Sequence, residues 1–339
     1  MIRMQRNSRV TVVSGDAWAV GATGTVLSPL GKDSFLVALD EARLDDLGDG
    51  PFSVVQFAAL NLSLTPGEAQ PDNPALDELY RQAKVEVDAD ERFAIERAAA
   101  RSMLEEALRG GHPPAIRALL IDYRDRVLPL HPRKGTTGWG ADLCGFGYNL
   151  YQSGERLRDS SLLAQAEGVL EEALIHATTQ FDDGHVQILY YLALTRNALG
   201  VIQARAADFA GAISAIDTAL NLSPRMFLDQ INVALGQAHL GLARTGGGAP
   251  SAETALQVFD RVPITRTSSG LYWAHQCIAI AEARLIGQLW TEMSLADARK
   301  SVNEALSYYR SRRREYWFMP HWMERAEAVR EQVRAVKLP

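Results

Sequence analysis

Four times in the second half of the chain, an alanine is followed four residues later by a large apolar residue and three further on by a smaller one. The sets are Ala166–Leu170–Ala173, Ala212–Ile216–Ala219, Ala255–Phe259–Val262 and Ala298–Val302–Ala305, and their first members stand 46, 43 and 43 residues apart. Positions i, i+4 and i+7 share one stripe of an α-helix. An alanine in such a stripe admits a second helix at close range, and the larger residue fills the space beside it. A unit of this kind cannot bury its apolar face alone, so the register predicts helix pairs stacked on one another.

The stretch Ala193–Pro224 shows the unit most fully, with Leu199-Gly200, Ala212, Ile216, Ala219-Leu220 and Pro224. It resembles a tetratricopeptide repeat, two antiparallel helices closed by a proline that cannot continue the second. Arg196 and Gln203 stand where that consensus has Trp and Tyr. The spacing exceeds the 34-residue tetratricopeptide period and also fits HEAT-like arrays. The Leu-Gly pairs at 199–200 and 235–236, with Pro224, favour the tetratricopeptide-like form. Thr245–Pro250 then reads as an insertion.

Residues 1–65 follow a different rule. Val10–Val13, Thr25–Leu27, Phe35–Leu39 and Phe52–Gln56 are β-branched or aromatic runs separated by Gly, Pro and Asp turns, the pattern of a small β-barrel. The order Val10-x-Val12-x-x-Gly15, then Gly21-x-x-Gly24-x-Val26, resembles the KOW motif of SH3-like barrels, with Gly24 expected to take a backbone angle that other residues resist. The resemblance implies contacts with RNA or with transcription and translation machinery. Here Asp40, Glu41, Asp45, Asp46 and Asp49 crowd one loop and would repel phosphates, which favours a protein-contact or structural module. A proline-rich linker at 66–74 separates this barrel from a helical-repeat domain at 75–339. The expected fold is therefore mostly α: an α-solenoid of tetratricopeptide-like hairpins behind a small SH3-like barrel, ending in a polar capping helix from Glu324 to Lys337.

A net charge of −6 with 22% charged residues supplies no general attraction to nucleic acid or to an anionic membrane. No stretch of eighteen apolar residues occurs, so no spanning helix is expected. Cys144 and Cys277 stand far apart with no CxxC spacing and read as free buried thiols of a cytoplasmic protein. Nucleophile-elbow, zinc-protease and phosphate-loop patterns are absent from the sequence. Neither cofactor, metal nor enzymatic activity is expected.

Three sets of candidate binding residues remain. The inner faces of the first helices carry Asn197, Gln230, Gln237, His239, His275 and Gln276, without a matching Lys or Arg. Amides suit main-chain hydrogen bonds to an extended peptide better than they suit carboxylate capture. Arg310, Arg312, Arg313 and Arg314 stand beside Tyr316, Trp317 and Trp322, a basic-aromatic patch whose rings suit capping of the last repeat's core and whose arginines suit self-association or another protein interface. Arg133, Lys134, Thr136, Thr137 and Trp139 form a glycine-rich loop that could hold a small anion. The reading that follows is a non-enzymatic adaptor with a peptide or protein partner in its groove and the barrel as second contact. The alternative is a regulator sensing an anionic ligand near 132–139.

Overall fold

The computed structural model describes residues 8–30, 34–43, 52–64, 74–177, 183–222, 227–262, 270–312 and 318–338. They fall into two compact units, 1–99 with 124–137 and 100–123 with 138–339.

The first unit holds β1 (Arg9–Val12), β2 (Thr23–Leu30), β3 (Ser34–Arg43), β4 (Phe52–Ala58) and β5 (Leu62–Leu64), in one antiparallel sheet of order β4-β3-β2-β1-β5. The sheet is open, with β4 and β5 as its edges, where the sequence suggested a closed barrel. Alternation drives it: Val10 and Val12 on β1 face a core with Val26, Val37 and Phe57, while their neighbours are half-exposed. The three residues of β5 are too short to announce a strand, yet Leu62 and Leu64 pair with Val12 and Val10. Gly24 is required for a reason other than its backbone angle. A β-carbon there would lie 2.4 Å from the Ala38 carbonyl on β3, so close strand approach excludes a side chain. Asp40 and Glu41 lie on β3 rather than in a loop, and Asp40 accepts from Arg9 at 2.6 and 2.5 Å and from the Thr23 hydroxyl at 2.5 Å, which balances its charge locally. Asp45, Asp46 and Asp49 lie outside the described residues. In the same unit, Arg126 and Arg133 pair with Glu96 and Asp90, each at 2.5 Å, and His131 packs edge-on against Phe93.

The chain beyond the sheet is helical: α1 (Pro74–Gly110), α2 (Pro113–Asp122), α3 (Thr137–Leu157), α4 (Ser160–His176), α5 (Asp183–Gln203) and α6 (Ala206–Asn221), then α7 (Leu228–Leu242), α8 (Gly248–Phe259), α9 (Gly270–Gly287), α10 (Glu292–Arg312) and α11 (Met319–Ala335). From α4 onward each helix packs on the next, and α5, α7, α9 and α11 also pack on one another in turn. The repeated register sits on α4, α6, α8 and α10, with Val262 just past the end of α8, and all twelve residues are at most 5% exposed.

The turns repeat as well. Arg158, Ala204 and Gln288 follow the ends of α3, α5 and α9 with φ of 53°, 53° and 54°. A left-handed residue ends a helix by satisfying its last carbonyls, and glycine is the usual occupant. None of the three is glycine, so the stops carried no cue in the sequence. Asp159 then caps α4, accepting from the Ser161 and Leu162 amides at 3.0 and 3.3 Å while Arg117 holds its carboxylate at 2.9 Å.

Close approach concentrates on α7. A β-carbon on Gly236 would lie 2.4 Å from the Phe259 ring of α8, and one on Gly241 would lie 2.1 Å from the Phe209 ring of α6. Both rings are at most 2% exposed and cannot yield. Gly236→Ala should therefore cost about 1–3 kcal/mol of stability through overpacking, despite alanine's better helix propensity. Urea denaturation checks this, and a variant as stable as the parent would mean that α7 and α8 do not meet this closely.

Candidate functional site

Because the second helices spend their apolar stripes inside each pair, the first helices are left with one face turned to a common space. α3, α5, α7, α9 and α11 together line a cavity of about 960 Å³ in the second unit. Its two ends in sequence meet: Arg156 near the end of α3 lies 5.1 Å from the Phe318 ring, and Arg158 Nη1 lies 2.8 Å from Nδ1 of His321 in the first turn of α11. Pro320 sits in that first turn too, where its missing N–H costs nothing.

One wall is aromatic. Tyr148 on α3 stacks on Tyr191 of α5 at 4.3 Å, and Tyr190 stacks on Phe227 at 6.0 Å. Phe227 holds a left-handed φ of 62°, a costly state for a bulky residue that persists only where its surroundings enforce it. The hydroxyls of Tyr148 and Tyr191 accept from the Gln152 and Gln187 amides at 2.6 and 2.8 Å. Each tyrosine O–H is thereby left to donate elsewhere.

Another part of the lining is charged. Glu282 on α9 takes Arg325 of α11 in a two-pronged contact at 3.1 and 2.5 Å, and Arg244 at the end of α7 also pairs with it. The two guanidinium groups hold the Glu282 carboxyl below its ordinary range against the opposing effect of burial. Arg325 also lies over the Trp322 ring at 5.4 Å. Trp322 stacks on His275 at 3.9 Å. Burial first, then Arg325 and His321 beside it, push His275 down to about 3, so its ring is neutral. His275 Nε2 and the Tyr309 hydroxyl are buried without a hydrogen-bond partner. Burial also raises Glu155, which accepts from Tyr151 and lies beside Arg156.

The amide set divides. Asn197, Gln230, Gln237 and His275 line the cavity; His239 and Gln276 are not among its lining residues. Asn197 donates to the Ala234 carbonyl of α7 at 3.0 Å, which ties α5 to α7, while its Oδ1 is buried and unpartnered. Gln276 is buried at 1% exposure, and His239 is half-buried with its basicity lowered by burial. The sequence also suggested a groove without cations, whereas Arg156, Arg158, Arg244 and Arg325 line it. Those arginines stand at helix ends and on the last helix, where the repeat pattern gives no inner face to inspect. The tyrosines Tyr148, Tyr151, Tyr190 and Tyr191 were missed as well, though paired aromatics on α3 and α5 were a readable signal.

Of the C-terminal patch, Arg310 pairs with Glu327 at 3.1 Å and Arg312 lies over the Tyr308 ring at 5.8 Å. Trp322 belongs to the cavity. Arg313, Arg314, Tyr316 and Trp317 lie outside the described residues. In the 132–139 loop, Arg133 is paired with Asp90, the Thr136 hydroxyl donates to the Arg133 carbonyl, Thr137 opens α3, Trp139 is buried and Lys134 follows Arg133 in the turn. Among the described residues, no group of three His, Cys, Asp or Glu side chains is arranged to hold a metal, and no helix is long and apolar enough to cross a membrane. Both cysteines are free and buried, and burial raises Cys144 to about 12 and Cys277 to about 11.

No family model, curated protein or solved structure matches the chain.

The depressed His275 makes stability depend on pH. An unfolded histidine titrates near 6.5. Below that value the unfolded chain binds a proton that the native chain refuses until about pH 3, so stability present above pH 6.5 is lost as pH falls. The wild type should lose up to about 1.4 kcal/mol more per pH unit than His275→Gln between pH 6 and 4. Parallel stability curves for the two proteins in that window would refute the buried, neutral assignment.

Proposed function

We propose that this chain is a non-enzymatic binding protein whose cavity receives an extended peptide segment of a partner. In this reading the second unit is a tetratricopeptide-like α-solenoid curled until its first and last inner helices touch. The N-terminal sheet serves as an SH3-like second contact.

The observation that carries the reading is the cavity and its lining. About 960 Å³ stands at the upper end of the range for ligand-binding clefts and cavities. Its aromatic wall offers apolar platforms for alternate side chains. Its polar groups match a peptide backbone: the Tyr148 and Tyr191 hydroxyls can donate to carbonyls. Gln230 and Gln237 line the space and can donate and accept at once. Asn197 serves differently, since one of its two amide N–H groups is committed to α7.

Binding rather than catalysis is also favoured by the ionisable groups. Thiols raised to about 12 and 11 do not supply a thiolate near neutral pH. A histidine lowered to about 3 cannot exchange protons there as a general base.

The test is a selection of random dodecapeptides displayed on phage against the full chain. Peptides recovered with the wild type should bind the Gln230→Ala, Gln237→Ala double variant about 30-fold more weakly, at roughly 1 kcal/mol per lost hydrogen bond. Recovery of no peptide, or equal affinity for the double variant, would remove the peptide reading.

A further inference from the structure

The charge along the cavity lining is unbalanced, with Arg156 half-buried and Arg158 exposed at its edge. Four arginines line it against two glutamates, Glu155 and Glu282, in a chain whose net charge is −6. Arg244 and Arg325 share Glu282. Arg156 and Arg158 have no carboxylate within ion-pair distance among the described residues; their neighbours across the cavity are the Phe318 ring and the His321 imidazole. Burial first, then Arg158 and Arg325, lower the basicity of His321, with Glu324 opposing them.

We infer that the end of the cavity between α3 and α11 holds an oxyanion carried by the ligand, a carboxylate or a phosphate, gripped by Arg156 and Arg158. A guanidinium presents paired N–H donors in a plane that matches two oxygens of either group. Glu155 lies beside Arg156 and is itself pushed toward the protonated form by burial, so an incoming anion adds countercharge at this end. The tyrosine wall running from Tyr148 and Tyr151 on the same helix accommodates the ligand's apolar or aromatic body. The ligand class is therefore an anionic headgroup on an apolar body. This site lies in the same cavity as the peptide reading but requires no peptide backbone. Its failure leaves the Gln230 and Gln237 test standing, and the reverse also holds.

The experiment measures melting temperature against concentration for three probes at constant ionic strength: inorganic phosphate, 3-phenylpropionate and the uncharged 3-phenylpropionamide. A ligand that binds only the folded chain raises its melting temperature. Phosphate or 3-phenylpropionate should stabilise the wild type and the amide should not; which anion acts at lower concentration tells phosphate from carboxylate. Half-saturation should move to at least about ten-fold higher concentration in Arg156→Gln and Arg158→Gln. Arg158→Lys should recover part of the response, and Arg261→Gln on the surface should retain it whole. Should the glutamine variants fail to fold, the wild type still decides. The His321 ring signal in proton NMR, assigned with His321→Gln, should titrate at higher pH when the anion is present. No response to either anion, an equal response in the glutamine variants, or an unmoved His321 titration would overturn the site.

Discussion

The close approach of paired helices governs the second unit. Ala166, Ala212 and Ala255 are fully buried and Ala298 nearly so, and each permits contact at a distance that a larger side chain would forbid. Once α4, α6, α8 and α10 have spent their apolar stripes on their partners, the partners still carry a second half-apolar face. Packing α5, α7, α9 and α11 on one another in turn curves the row and leaves that face around a shared space. The cavity thus follows from the same small residues that make the hairpins.

Polar contacts then join the inner helices. Glu282 joins three elements, because its two arginines come from the end of α7 and from α11. Such a group is costly to bury unless every charge is matched, and here a single carboxylate answers two cations. Neutral His275 beneath Trp322 avoids adding a third positive charge to the cluster. Contacts from Arg156 to Phe318 and from Arg158 to His321 complete the circuit without any carboxylate. The proposed binding chemistry therefore draws on arginines that also make these structural contacts.

Much of the fold was legible because it rests on periodicity. The four-fold register located α4, α6, α8 and α10, and the strand-period runs located four of five strands. β5 escaped because three residues carry no period, and its pairing with β1 is long-range. Gly24 was recognised for the wrong reason, since only the neighbouring strand reveals that its side chain would strike Ala38. The cavity was less legible. Gln230 and Gln237 could be placed on inner faces by helical phase. Asn197 shares that phase, yet its amide turned out to bond across to α7. Arg156, Arg158 and Arg325 come together only when the first and last inner helices meet, a contact spanning 163 residues between Arg158 and His321. No local pattern encodes such a meeting.

That closure is the claim on which both the peptide and the oxyanion readings stand. Pulsed electron paramagnetic resonance between spin labels on Ser161→Cys, at the start of α4, and Glu324→Cys, on α11, tests it directly. Both positions are exposed, and the native thiols are buried and poorly ionised, so labelling falls on the introduced sites alone. A row of helices closed by α3 and α11 predicts one narrow distance distribution. A broad or multiply peaked distribution would mean that the two ends move apart, and that the cavity is not a formed site.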